Sequence, residues 1–218
     1  MSITTRQATV ADKAFVVTAI TEAEKSGGNT VSYCNLLDIT EQEFSDMLSN
    51  MLDEEIEGQE LYIPSFLIAL VDGIPAAASC SWVEQGGNMA SSTLKSNLLM
   101  YHTNRSVLLA AMPAISILKE VNIDRTPGAL QIESIYTSPQ FRGMGLSGML
   151  ITEHINRHKT TNPAVNKAQI TLLGCNEAAR SAYTKAGFVL AQEKKSDNPI
   201  IFKLLFCDRK IMMEKTIN

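Results

Sequence analysis

The stretch FRGMGLSG, from Phe141 to Gly148, combines residue types that can hold an anion. Its glycines at 143, 145 and 148 let backbone N–H groups approach a ligand closely, and a helix beginning near Gly145 adds its positive dipole end. Arg142 can donate charge-assisted hydrogen bonds to phosphate oxygens. The segment therefore predicts a phosphate or pyrophosphate site, and a tight turn that uses glycine only to change direction is the alternative.

The same glycines match the GxGxxG fingerprint of dinucleotide-binding folds. That fingerprint requires an Asp or Glu about 20 residues further on, where it holds a ribose hydroxyl. This chain offers Lys167 to Leu172 in that region, and Gln140 and Arg142 precede the first glycine. These features disfavour a nicotinamide dinucleotide as the ligand.

Strand and helix patterns flank the glycine-bearing loop. The segment ALQIESIYT, 129–137, alternates and is rich in strand formers, and LSGMLITEHINRHK, 146–159, has apolar residues at helical spacing. Asp72-Gly73 between two apolar runs predicts a hairpin. The remaining predicted elements are a strand at 2–6, helices at 9–24 and 40–52, hairpin strands at 65–71 and 75–84, a helical segment at 86–128, a strand at 167–175, a short helix at 176–187, and strands at 188–194 and 200–206.

These elements predict a mixed α/β or α+β fold with a largely antiparallel sheet. The chain has 218 residues, of which 45% are apolar and 19% charged, and we expect one domain over 1–218. The N-terminus lacks the basic-then-apolar pattern of a secretory signal, so a cytoplasmic location is expected. The four cysteines form no CxxC pair and are expected to be reduced and mostly buried.

Metal binding is not predicted. His154 and His158 lie four residues apart on one helix, but no third ligand is visible in the sequence. We expect them on an exposed helix face.

The charge is distributed unevenly along the chain. Residues 26–94 contain eleven acidic residues and neither Lys nor Arg, whereas residues 95–218 carry an excess of basic residues. One part of the chain is therefore suited to a cationic partner and the other to an anion, although a solvated surface would have the same composition.

The segment QFRGMG, Gln140 to Gly145, has the form Q-x-x-G-x-G and resembles the acetyl-CoA loop of the GNAT superfamily of N-acetyltransferases. Further along, NEAARSAYTKAGF, Asn176 to Phe188, is similar to the next motif of that family. Weaker resemblance extends over RQATVADKAFVV and VDGIPAA. Together these cover most of the chain except 86–128, which departs from the family's usual short connection.

The resemblance implies a sheet of about seven strands flanked by helices, which splays open after the strand 129–137 to admit the pantetheine arm of acetyl-CoA. The pantetheine would pair with backbone groups of Ile135, Tyr136 and Thr137, and Asn176, Ala179 and Tyr183 would border it. No metal or other cofactor is implied. The pyrophosphate would lie on the loop after Gln140, formed by Arg142, Gly143, Met144, Gly145, Leu146, Ser147 and Gly148.

Acetyl transfer to an amine needs a neutral nucleophile, stabilisation of the oxyanion and a proton for the thiolate. Glu133 resembles the strand carboxylate that polyamine acetyltransferases of this family use as a base, directly or through water, but alternation alone equally allows it to face solvent. Tyr183 lies at the family position whose hydroxyl can protonate the thiolate, and an ordinary core aromatic is the alternative. A backbone N–H between Ile135 and Thr137 is the candidate oxyanion donor.

The expected function is acetyl transfer from acetyl-CoA to a primary amine by direct attack in a ternary complex. In the family, the acceptor side is built largely from the first helices and early hairpin, which here contain no basic residue between 26 and 94, so a cationic amine is expected. A non-catalytic acetyl-CoA-binding regulatory module is the alternative.

The 86–128 segment is a candidate lid or dimer surface. A homodimer is common in the family, so it is one possible assembly. Neither nucleic acid nor a membrane is an expected partner.

Overall fold

The computed structural model describes residues 1–87 and 89–217, and within them seven strands form one sheet in the order β1-β2-β3-β4-β5-β7-β6. Only β4 and β5 run parallel; the other neighbouring pairs are antiparallel. This confirms the mixed, mostly antiparallel sheet. The strands are β1 Ile3–Gln7, β2 Phe66–Val71, β3 Ile74–Val83, β4 Leu130–Thr137, β5 Lys167–Leu173, β6 Val189–Lys195 and β7 Arg209–Thr216.

The α-helices of the described residues flank this sheet, and short 3-10 turns join several elements. The segment 86–128 is helical, as predicted, and contains the fourth and fifth helices. The α-helices are α1 Lys13–Glu24, α2 Ser32–Leu37, α3 Glu41–Asp53, α4 Ser91–His102, α5 Arg105–Leu118, α6 Leu146–Thr161, α7 Glu177–Lys185 and α8 Ile201–Leu205.

The helices cover both faces of the sheet. Phe66 and Ile68 of β2 pack with buried residues of α1 and α3, whereas Leu67 and Ala69 pack with Leu146 and others of α6. Successive side chains of a strand point to opposite faces, so an unbroken apolar run such as FLIALV fits a strand that is covered on both sides.

Local signals explain where several helices begin. The side chain of Thr40 accepts a hydrogen bond from the Glu43 N–H, and the Glu43 carboxylate accepts one from the Thr40 N–H. This reciprocal capping satisfies two N–H groups that the first turn of α3 would otherwise leave without partners. The helix then buries Phe44, Met47 and Met51 on one side.

The end of the chain corrects the predicted strand at 200–206. Residues Ile201–Leu205 form α8, with Ile201, Leu204 and Leu205 buried and Phe202 exposed, which is helical spacing. The last strand is instead β7, which the sequence did not reveal. It lies between β5 and β6 and buries three successive residues, Ile211 to Met213, so it lacks the alternation of a half-exposed strand.

The sheet opens between β4 and β5. These strands pair only at Leu130 with Ala168 and at Gln131 with Gln169, and from Ile132 onward they are no longer paired. The strand β4 also carries an irregularity: its register with β3 shifts, and Ser134 adopts a left-handed φ of 51°. Such a bulge bends a strand and redirects its side chains. The predicted splay is therefore present, and it begins inside the strand rather than after it.

Candidate functional site

A cleft of about 610 Å³ lies at the opening between β4 and β5. Elements distant in sequence contribute to its walls, among them α1, α2, α4, the segment before β4, the second half of β4, β5, α7 and the start of β7. Of the predicted site residues, those that line it are Glu133, Ile135, Tyr136, Thr137, Arg142, Ser147, Asn176, Ala179 and Tyr183.

The glycine-bearing loop keeps the geometry of an anion site. Gly143 and Gly145 have φ of 80° and 75°, which favour glycine, and a Cβ at either would meet no atom within 4 Å. Gly145 is the N-cap of α6 and supplies no side-chain cap. The N–H groups of the first helical turn, at Leu146, Ser147 and Gly148, therefore have no intrahelical partner and are available to an anion.

The side chains of the loop divide into two groups. Arg142 is exposed, and its Nε donates to the Thr137 carbonyl at 3.4 Å, which holds the guanidinium beside the cleft. Met144 and Leu146 instead pack into the core beneath α6, so these two residues can offer a cofactor only their backbone. Gln140 is exposed and lies outside the cleft lining.

The free edge of β4 offers backbone donors to the gap. The Ser138 N–H donates to the Ala76 carbonyl at 2.9 Å and so points toward β3. Because successive N–H groups of a strand point to opposite edges, those of Thr137 and Ile135 point toward the unpaired side. This edge can pair with an extended amide-bearing chain such as pantetheine.

The helix α7 places two predicted residues at the same opening. Asn176 caps the helix, its Oδ1 accepting from the Ala179 N–H at 3.1 Å. Tyr183 is buried, and its hydroxyl makes no hydrogen bond with a described residue. Burial, with the nearby charge of Glu133, raises the pKa of Tyr183, so the phenol keeps its proton at neutral pH.

Glu133 faces the cleft and not the solvent. Its Oε1 accepts from Arg125 Nη2 at 2.6 Å and from Arg125 Nε at 3.1 Å, and its side chain is 16% exposed. Burial raises the pKa of Glu133 to about 6; the positive charge of Arg125 opposes the shift and the negative charge of Glu60 adds to it. A carboxyl group with this proton affinity suits general base catalysis near neutral pH.

Glu60 is a site residue that the sequence did not reveal. It is buried, forms a salt bridge with Lys95 and is close enough to Glu133 for the two carboxyl groups to influence each other's pKa. Burial would raise the pKa of Glu60, but the charges of Lys95 and Arg125 outweigh it and lower the pKa. In the sequence Glu60 is the last residue of an acidic run. Only its position directly before Leu61 to Ile63 distinguishes it from the other acids of that run.

Besides Arg142, three basic residues line the cleft: Lys95, Arg125 and Lys210. Lys95 lies 4.8 Å from the Tyr33 ring centroid, and Arg125 lies 5.3 Å from that of Trp82. Of the eleven acidic residues between 26 and 94, only Glu60 lines the cleft. The cleft is therefore of mixed charge, and most of the acidic surface lies elsewhere.

The two histidines of α6 are not on an exposed face. His154 is buried, and Ser81 Oγ lies 2.7 Å from its Nδ1 and 3.0 Å from the Nε2 of His158. Burial lowers the pKa of His154 to about 3, so it is neutral. Both histidines face β3, where the hydroxyl of Ser81 forms hydrogen bonds with their rings.

All four cysteines are free thiols, but only Cys80 and Cys207 are buried; Cys175 is exposed. Over residues 1–87 and 89–217, no cluster of three or more His, Cys, Asp or Glu side chains is arranged to hold a metal ion. In the same described ranges, no helix combines the length and apolar character needed to cross a membrane.

Comparison with known proteins agrees with this geometry. No curated protein matches the chain by sequence. An N-acetyltransferase from Staphylococcus aureus Mu50 is similar in structure, with a TM-score of 0.66 and 14% identity over 97% of this chain and 100% of that chain. The ribosomal-protein-S18-alanine N-acetyltransferase from Escherichia coli gives a TM-score of 0.53 and 13% identity over 100% of this chain and 95% of its own.

A third similar structure is AAC(6')-Ib in complex with parmomycin and acetyl-CoA, with a TM-score of 0.53 and 18% identity over 99% of this chain and 94% of that chain. At these identities the likeness establishes the fold. Residues 95–188, which contain β4, the glycine-bearing loop, α6, β5 and α7, match the model of the acetyltransferase (GNAT) family. Residues 95–188 are therefore similar to the GNAT acetyltransferase family, and the chain as a whole has the fold of these acetyltransferases.

Proposed function

We propose that this protein transfers an acetyl group from acetyl-CoA to a primary amine by direct attack in a ternary complex, within a single domain spanning 1–218. The observation that carries the proposal is the placement of Glu133. Its carboxyl group, with a pKa raised toward neutrality, lies in the same cleft as the buried phenol of Tyr183, where the sheet opens.

The residues around the opening fit acetyl-CoA, which supplies the activated thioester. The open glycine cradle and the uncapped N-terminus of α6, with Arg142, suit the pyrophosphate. The edge of β4 at Ile135 and Thr137 suits the pantetheine amides, and Asn176, Ala179 and Tyr183 border them. One of these β4 N–H groups can also donate to the carbonyl oxygen as negative charge develops on it.

Glu133 is the proposed base. Above about pH 6 its carboxylate is ionised and can take a proton from the arriving ammonium, directly or through one water, to leave a neutral nucleophile. Arg125 holds the carboxylate in place but reduces its proton affinity, while Glu60 increases that affinity. Because these two effects oppose each other, the pKa of Glu133 stays in a range that suits a base at neutral pH.

Tyr183 is the proposed acid. Its raised pKa keeps the hydroxyl protonated, and the hydroxyl is not engaged by another described side chain. A protonated phenol at the border of the cleft can deliver its proton to the leaving thiolate as that charge forms.

We propose that the acceptor amine arrives as a cation. Glu22 and Glu24 of α1 reach the cleft beside Glu60 and Glu133, and these carboxylates attract an ammonium group. The similar structures include one with an aminoglycoside and one from an enzyme that acts on a ribosomal protein, so this fold accommodates acceptors of both sizes. The homodimer and the cytoplasmic location expected from the sequence stay predictions.

CoA release with acetyl-CoA and a panel of amines tests the proposal. We expect Glu133→Gln to lower kcat by about 10²- to 10⁴-fold, the range of general base catalysis, with little change in the KM for acetyl-CoA. Glu57→Gln is the matched control, because Glu57 is an exposed acid of the same acidic run as Glu60. Unchanged turnover in Glu133→Gln would remove the base role.

A regulatory module that binds acetyl-CoA without catalysis is the alternative. The salt bridge between Glu133 and Arg125 favours it, since a paired carboxylate is a weaker base. Tight acetyl-CoA binding measured by calorimetry, together with no turnover of any amine in the panel, would support the module over the enzyme.

A further inference from the structure

Lys210 differs from the other basic residues of the cleft. It lies at the start of β7, where it pairs with Leu173 of β5, and its side chain lines the cleft. Lys95 has a salt-bridge partner in Glu60, and Arg125 has one in Glu133. Lys210 forms neither a salt bridge nor a side-chain hydrogen bond with any residue in the described part of the chain.

Lys210 is partly buried in the wall of the cleft, and an ammonium group that loses water without gaining a partner is destabilised. Burial lowers the pKa of Lys210, and the charges of Lys95 and Arg125 add to that effect. Glu24 and Glu133 act in the opposite direction, but neither lies within salt-bridge distance. An anionic group entering the cleft would relieve this imbalance.

The surroundings of Lys210 show which ligand could bring that anion. The charged groups that affect it most are Glu24, Lys95, Arg125 and Glu133, which line the same cleft and include the proposed base and its salt-bridge partner. Because the proposed base is among these groups, we expect the anion to come from the acceptor.

We propose that the acceptor carries a carboxylate as well as its primary amine, and that Lys210 binds the carboxylate while the amine lies at Glu133. This rests on the proposed function. The acids of α1 and the base attract the ammonium of such a zwitterion, and Lys210 holds its other end. An amino acid or short peptide has this chemistry, whereas a polyamine does not.

The test compares matched acceptors that differ only in the carboxylate: amino acids, their carboxamides, and alkylamines of the same chain length. We expect the wild type to prefer the carboxylate by about 10- to 100-fold in kcat/KM, the worth of one charged hydrogen bond. Lys210→Met should abolish that preference. Lys210→Arg should retain most of it, and Lys203→Met, at an exposed lysine of α8, should not change it.

Three results would overturn the inference. One is an equal rate for amino acids and carboxamides in the wild type. Another is an equal loss for both in Lys210→Met while circular dichroism shows that the variant is folded. The third is a rise in the KM for acetyl-CoA alone, which would assign Lys210 to a group of CoA.

A failure of the proposed function can be told apart from a failure of this inference. If no amine is acetylated, binding of the amino acids to the protein with CoA is measured by calorimetry. Binding that Lys210→Met removes and Lys203→Met preserves would support the carboxylate site without catalysis. Absence of binding to the wild type would overturn it.

Discussion

The proton affinity of Glu133 depends on two neighbouring side chains that act in opposite directions. Arg125 stabilises the carboxylate through its salt bridge, and Glu60 disfavours it through like charge. Burial contributes the largest effect and favours the neutral acid. The base can therefore be tuned either way by single substitutions.

The acid limb of the pH profile should move in opposite directions in two variants. Glu60→Gln removes a negative charge, so the pKa of Glu133 should fall and kcat/KM should rise at a lower pH than in the wild type. Arg125→Met removes a positive charge, so the pKa should rise and the limb should move to higher pH. Steady-state rates from pH 5 to 9, an ordinary span for such profiles, measure both shifts.

Glu57→Gln serves again as the control and should leave the limb in place. Shifts of the same sign in Glu60→Gln and Arg125→Met would show that Glu133 does not produce the limb.

Tyr183→Phe should lower kcat by about 10²- to 10⁴-fold and change the KM for acetyl-CoA little, because the ring remains and only the proton donor is lost. The comparison of acetyl-CoA with a thioester whose thiol is more acidic is the decisive measurement. A better leaving group needs less help from an acid, so the variant should recover activity with it. If the loss is the same with both thioesters, Tyr183 is not the acid.

Several residues that line the cleft could be named from the sequence. Glu133, Arg142 and Tyr183 belong to motifs contiguous with the loop or with α7, and all three line the cleft. Glu60 and Lys210 were not predicted, because their function depends on neighbours from other elements that no local pattern specifies. The prediction that His154 and His158 lie on an exposed helix face was wrong for the same reason, because Ser81, which contacts both of them, is distant in sequence.

At the scale of elements, the turn into α6 has a backbone that only glycine adopts without strain. Gly145→Ala should destabilise the protein by about 1–2 kcal/mol, because φ is 75° there, and should raise the KM for acetyl-CoA because the new methyl group lies at the anion site. Gly73→Ala is the matched control: φ is 81°, a Cβ there also meets no atom within 4 Å, and the residue lies in the hairpin between β2 and β3.

Chemical denaturation and steady-state kinetics together separate strain from binding. Similar losses of stability in the two variants, with a changed KM only in Gly145→Ala, are expected. A changed KM in both would mean that strain alone disturbs the cofactor site.

Elements were predictable where one face of a segment is exposed to solvent, or where a capping or turn motif marks its end. The reciprocal cap at Thr40 and the turn at Asp72-Gly73 define α3 and the hairpin, and both were placed within about two residues, the usual uncertainty of element ends. The elements after residue 196 were not predicted correctly, because β7 is buried between two strands and α8 is a short apolar segment. Apolar runs of that length are ambiguous between helix and strand.

At the scale of the whole molecule, the ligand should join the two parts of the sheet that β4 and β5 leave mostly unpaired. Acetyl-CoA at about 100 times its Kd should add about 2.7 kcal/mol of stability, which raises the Tm of a protein of this size by about 5–10 °C. Amide hydrogen exchange should slow at Ile135 and Thr137, whose N–H groups point into the gap. Protection confined to sites away from β4 would contradict this geometry.

The salt bridges of the buried acids have a consequence for building chimeras with similar structures. Lys95 and Arg125 both come from the 86–128 segment, while Glu60 and Glu133 come from outside it. A graft that replaced this segment with a shorter connection would keep the acids and discard their counterions, at a cost of about 3–5 kcal/mol for each buried charge left alone. Segment and acids must therefore be exchanged together in such a graft.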